Sequence, residues 1–108
     1  MNIRYETQEG KLRVWLEGEL GHHEAIRLMA RLNGLVEDHL PARLELDLSG
    51  LEFMDSSGIA VVVQTARECR NLGCTLSVCG VGKQAMRVLS AAGLQKIVPI
   101  TERERTEV

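Results

Sequence analysis

The sequence predicts an α/β fold: a mixed, mostly parallel β-sheet that opens with an N-terminal hairpin and carries packed α-helices, in the order ββαβαβαβ. Apolar residues alternate at period two in two early runs on either side of Gly10. From residue 22 onward, three- and four-residue apolar spacing takes turns with further period-two runs. Strands that alternate with helices need crossover connections, which make the sheet mainly parallel and lay the helices against it.

The elements follow in order. Over 2–6, Ile3 and Tyr5 oppose Asn2, Arg4 and Glu6; over 11–17, Leu12, Val14 and Leu16 oppose Lys11, Arg13, Trp15 and Glu17. The short link containing Gly10 makes these a hairpin. Ala25, Leu28, Met29, Leu32, Leu35, Val36 and Leu40 form the apolar stripe of a helix over about 22–40, stopped by Pro41. Leu44, Leu46 and Leu48 alternate with Glu45 and Asp47 as a third strand, and 49–55 reads as a loop. A second helix runs from about 57 to 72, with Ile59, Val62, Val63, Ala66 and Cys69 inward and Gly73 as its C-terminal cap. Residues 75–79 form a fourth strand, 82–92 a third helix with Ala85, Met86, Leu89 and Ala92 inward and Gly93 ending it, and 97–100 a short last strand. The charged tail 101–108 has no apolar face and is expected to fray.

A length of 108 residues predicts a single domain over 1–108. Aromatics make up only 3%, so the core must be aliphatic and no base-stacking platform is available. A net charge of −2 without a basic run argues against direct nucleic-acid binding. The longest apolar run, Ile59 to Val63, is too short to span a membrane. Cys69, Cys74 and Cys79, without an export signal, read as reduced thiols of a cytoplasmic protein. Residues 74 and 79 point to opposite faces of a strand, which favours buried structural thiols over a metal site. No metal and no cofactor is expected.

The residues that stand out are Asp55-Ser56-Ser57-Gly58, at a strand-to-helix junction. Asp and Ser are preferred helix N-caps, which is the plain reading. The same helix end, with its partial positive charge and free N–H groups, also suits a phosphate, with the amides of Ser57 and Gly58 as expected donors. Spacing alone leaves both readings open and does not choose between Ser56 and Ser57. Catalysis fits poorly. The tetrapeptide is not a Gly-x-Ser-x-Gly elbow. Gly80-Val81-Gly82-Lys83 lacks the phosphate-loop pattern, with Ser77 at its first Gly position and Gln84 after the lysine. His22 and His23 are adjacent, whereas metal-binding pairs on helices sit three or four apart.

Glu17-Gly18-Glu19-Leu20-Gly21-His22-His23, followed by Leu46-Asp47-Leu48-Ser49-Gly50-Leu51-Glu52-Phe53-Met54-Asp55-Ser56-Ser57-Gly58, resembles the STAS domain of bacterial anti-sigma factor antagonists, most closely the stage II sporulation type of endospore-forming bacteria. The similarity continues through Gly73, Val78-Cys79 and Leu89-Ser90-Ala91-Ala92-Gly93-Leu94. The resemblance implies a STAS-like fold and a non-enzymatic switch. Its unphosphorylated form would bind an anti-sigma factor that is also a serine kinase, releasing a sigma factor for transcription. That kinase would use ATP to phosphorylate Ser56, and a PP2C-type phosphatase would reverse the step. Asp55, Ser57, Gly58, Gly21, His22 and His23 would belong to the partner surface. Sporulation relatives usually carry Asp where this chain has Gly21. The same fold also serves as a module of stress-sensing or lipid-transport complexes, the alternative role.

Overall fold

The computed structural model describes residues 1–103. Its elements are β1 (Asn2–Gln8), β2 (Lys11–Leu20), α1 (His22–His39), β3 (Arg43–Met54), α2 (Ser57–Asn71), β4 (Thr75–Val81), α3 (Lys83–Ala91), a 3-10 turn (Leu94–Lys96) and β5 (Ile100–Glu102). The five strands lie side by side in sequence order. β1 and β2 are antiparallel, and the other three pairings are parallel. Glu9 and Gly10, both at positive φ, make the tight hairpin turn that matches strand twist.

Because successive parallel strands always step the same way, right-handed crossovers put all three helices on one face. Burial agrees. Leu12, Val14 and Leu16 of β2 and Leu44, Leu46 and Leu48 of β3 share one core with Leu28, Leu32, Val36, Val62 and Leu89 of the helices. Burying each such side chain stabilises the fold by about 1.5–3 kcal/mol relative to exposure. The alternate residues, Lys11, Arg13, Trp15, Glu45 and Asp47, line the helix-free face. There Glu45 takes Lys11 at 2.9 Å and Arg13 at 3.0 Å. Cys69 and Cys74 are buried in the core, while Cys79, on the opposite face as the strand parity predicts, is only half-buried, because no helix covers it there beside Glu45.

Several boundaries differ from the sequence reading. β2 continues to Leu20 and β3 to Met54, so 49–54 is strand rather than loop. Their outer halves pair through two register shifts, at Trp15/Glu17 and Gly18/Glu19, and such irregularities erase the alternation that marks a strand. The stretch 97–99 is not strand: the chain turns first at Leu94–Lys96, and β5 begins at Ile100. Thr101 and Glu102 of the supposed frayed tail belong to β5, and 104–108 lie outside the described residues. On α2 the buried stripe is rotated, so that Val61 and Thr65 are buried and Ile59, Val63 and Ala66 are half-buried. In α1, Leu40 leaves the stripe. It caps the helix at φ 44 and is exposed, because Pro41 prevents continuation. Met29 and Met86 are only partly buried against the core, and Ala92 is exposed beyond the end of α3.

Candidate functional site: the loop at the start of α2

β2 and β3 are neighbouring parallel strands, and Leu20 pairs with Met54 at their C-terminal ends. The segments that leave those ends, Gly21-His22-His23 and Asp55-Ser56-Ser57-Gly58, therefore emerge side by side, on the edge where open α/β sheets carry their working loops. The Asp55 amide ties the two together by donating to the Leu20 carbonyl at 3.1 Å.

Asp55 organises the helix start. Its Oδ1 accepts the Ser57 amide at 2.8 Å, and its carbonyl accepts the Gly58 amide at 3.0 Å. The Ile59 amide closes on the Ser56 carbonyl at 3.1 Å. This corrects the expectation that the Ser57 and Gly58 amides stand free for a phosphate, since Asp55 already occupies both. Ser56 holds the N-cap position, but its side chain makes no cap bond. The two serines differ in access: Ser56 is exposed and Ser57 half-buried. A hydroxyl that is exposed and uncommitted can enter another protein's active site without unfolding anything.

Gly58 is buried because Met54 lies on it. A Cβ at position 58 would fall 2.5 Å from Met54 Cγ and Sδ. This glycine is required by close approach. Its backbone is helical.

Gly21 stands where a side chain would meet two carboxylates. A Cβ there would lie 3.0 Å from Glu24 Oε1 and 3.6 Å from Asp55 Oδ2. Glu24 reaches back to accept the Gly21 amide at 3.1 Å, the return half of a capping box. An acid at position 21 would thus add a third negative group to the site, and glycine relieves that crowding. His22 and His23 are exposed on the first turn of α1, with ring centroids 5.8 Å apart, edge to face. Among the described residues no cluster of His, Cys, Asp or Glu has the geometry to hold a metal ion, and no helix is long and apolar enough to cross a membrane.

Two contributors escaped sequence reasoning. Gln84, in the first turn of α3, bonds the backbone of Met54 on both sides. Phe53, just before the site, is a large apolar side chain left 45% exposed. Only the outward parity of 53 against buried Met54 hinted at Phe53. Nothing in the spacing pointed to Gln84, which lies 30 residues from its partner.

Comparison with known proteins gives a consistent picture. The family model described as the STAS domain matches residues 2–107. The chain is similar to the anti-sigma F factor antagonist of Paenibacillus polymyxa, with 33% identity over 104 residues, covering 96% of this chain and 89% of the relative. It is also similar to the anti-sigma-B factor antagonist of Bacillus subtilis, with 27% identity, 94% of this chain and 91% of the relative. Among solved structures, the anti-sigma factor antagonist SpoIIAA in its unphosphorylated form shares the fold. Its TM-score is 0.79 at 21% identity, covering 98% of this chain and 90% of that one.

Proposed function

The chain belongs to the STAS domain family, and on that premise we propose that it is an anti-sigma factor antagonist switched at Ser56. In its unphosphorylated form it binds an anti-sigma factor, and the sigma factor is released for transcription. The anti-sigma factor is also a serine kinase. The γ-phosphoryl group of ATP passes to Ser56 Oγ, the hydroxyl proton goes to a base on the kinase, and ADP leaves. A PP2C-type phosphatase hydrolyses the phosphoserine. The chain catalyses nothing, holds no cofactor, and works in the cytoplasm.

One observation carries this reading: of the two serines Ser56 is the exposed one, at a helix start where Asp55 has already satisfied the Ser57 and Gly58 amides. A phosphate there adds about −1.5 to −2 charges beside Asp55 without breaking an internal bond. The partial positive end of α2 tolerates it. The fold therefore stays and the docking surface becomes strongly anionic. The exposed Phe53 and the histidines on α1 border that surface. A partner that seats an acidic or apolar group there is repelled, at a cost of about 2–3 kcal/mol, which lowers affinity tens-fold or more.

Calorimetric titration of the cognate anti-sigma kinase tests this. The parent protein should bind, and the phosphorylated form or Ser56→Asp should bind at least tens-fold more weakly. Equal affinities would remove the electrostatic switch. Failure of the parent to bind any anti-sigma kinase, together with co-purification with a transport ATPase or a stress-sensing assembly, would assign the module to that alternative role.

A further inference from the structure

β1 is an edge strand: it pairs with β2, and among the described residues no strand lies beyond it. Six of its seven residues are exposed, and only Ile3 is half-buried. It runs in unbroken register from Asn2↔Glu17 to Gln8↔Lys11. A strand with one side unpaired presents a row of free N–H and C=O groups, which proteins blunt with proline, lysine or a bulge. β1 has none of these. Its only charges, Arg4 and Glu6, have opposite signs and share one face.

The sequence of β1 is complementary to itself. We propose that a second copy of this chain pairs with β1, antiparallel, about a two-fold axis through Tyr5. In that register Arg4 faces Glu6 of the second copy and Glu6 faces its Arg4, so each interface holds two opposite-charge pairs. Ile3 faces Thr7, and Asn2 faces Gln8. The Arg4 guanidinium is already positioned. It takes Glu17 at 3.1 Å on its own sheet and lies 5.2 Å over the Trp15 ring, yet its side chain is 65% exposed with donors to spare. Glu6 makes no ion pair among the described residues. On the other face Tyr5, 45% exposed, meets its own symmetry mate. Its ring is backed by His39 at 5.4 Å and by the Arg31 guanidinium at 6.0 Å. The result is one continuous sheet across two chains. β2 separates β1 from β3, so pairing leaves both copies of Ser56 accessible.

Sedimentation equilibrium of the full chain, from micromolar to millimolar concentration, reads the association. A reversible dimer is expected. Glu6→Lys sets lysine against Arg4 twice per interface and should raise the dimer Kd about tenfold or more. Arg4→Glu combined with Glu6→Arg restores the complementarity and should restore the dimer. A second arm does not depend on the charge variants folding. Cα atoms directly opposite on antiparallel strands lie within disulfide range. Tyr5→Cys should therefore form an intermolecular disulfide with copper–phenanthroline as oxidant, the two thiols giving up two protons and two electrons. Gln8→Cys, whose mate is Asn2, should not. A monomer at every concentration, or a dimer that Tyr5→Cys does not cross-link, would overturn the proposal.

Discussion

The side chain of Gln84 forms two hydrogen bonds with the backbone of Met54: its Oε1 accepts the Met54 amide at 2.9 Å, and its Nε2 donates to the Met54 carbonyl at 2.7 Å. β4 stops pairing with β3 at Asp47↔Cys79, seven residues before β3 ends at Met54. Gln84 stands in for the missing neighbour strand at the last residue before Asp55 and Ser56. α3, which carries no residue of the Asp55-Ser56-Ser57-Gly58 segment, thereby fixes where that segment sits.

Gln84→Ala should therefore cost about 1–3 kcal/mol, because it leaves two backbone groups of a buried residue unpaired. Gln84→Glu keeps the acceptor but has no donor for the Met54 carbonyl, so it should fare no better. Urea denaturation measures both. A loss below about 0.5 kcal/mol, the range of ordinary surface changes, would contradict this role.

Two glycines in helices should respond oppositely to alanine. At Gly34, inside α1, an added Cβ meets nothing within 4 Å. Gly34→Ala should stabilise by about 0.5–1 kcal/mol through helix propensity. At Gly58 the same change drives a methyl into Met54, which is 1% exposed and has nowhere to move. Gly58→Ala should destabilise by about 1–3 kcal/mol and weaken partner binding, since Met54 leads directly into the switch loop. Thermal unfolding and calorimetry read the two effects; equal shifts at both positions would contradict the packing argument.

The acid limb of stability should depend on Asp47. Burial pushes this carboxyl up, but the hydroxyl and amide of Ser49 and the Arg13 guanidinium outweigh burial and hold it below the usual carboxylate range. Glu45 is likewise lowered, first by Lys11 and then by Cys79 and Arg13, against burial. A group with a depressed folded pKa binds protons more weakly in the native state. Its contribution is fully present above the unfolded value, about 3.9 for Asp, and is lost as pH falls through the folded value. Stability should therefore drop below about pH 4, and Asp47→Asn should flatten that drop while costing about 2 kcal/mol at neutral pH. Denaturant titrations between neutral and acid pH test the slope. An unchanged acid limb in Asp47→Asn would refute the assignment.

Most of the architecture was legible because the core is aliphatic and regularly spaced. Leu12, Val14 and Leu16, then Leu44, Leu46 and Leu48, announce strands; Leu28, Leu32 and Leu35 announce a helix. Legibility failed where periodicity is local and pairing is not. The outer halves of β2 and β3 carry register shifts and glycines, so their alternation breaks although their ladder continues. The Asp55-Ser56-Ser57-Gly58 segment was legible as a helix start. The capture of the Ser57 and Gly58 amides by Asp55 was not, because N-cap chemistry does not say which of two adjacent caps wins. The nearness of Gly21 to Asp55 followed from the resemblance, and its geometric reason is the Leu20↔Met54 pairing of two strands distant in sequence.

The exposed Ser56, and not the half-buried Ser57, is the proposed switch. Incubation of the full chain with its anti-sigma kinase and ATP, followed by mass-spectrometric mapping, tests it most directly. A single phosphate is expected on Ser56, lost in Ser56→Ala and kept in Ser57→Ala. Phosphorylation of Ser56→Ala at the parent's rate and extent would contradict it.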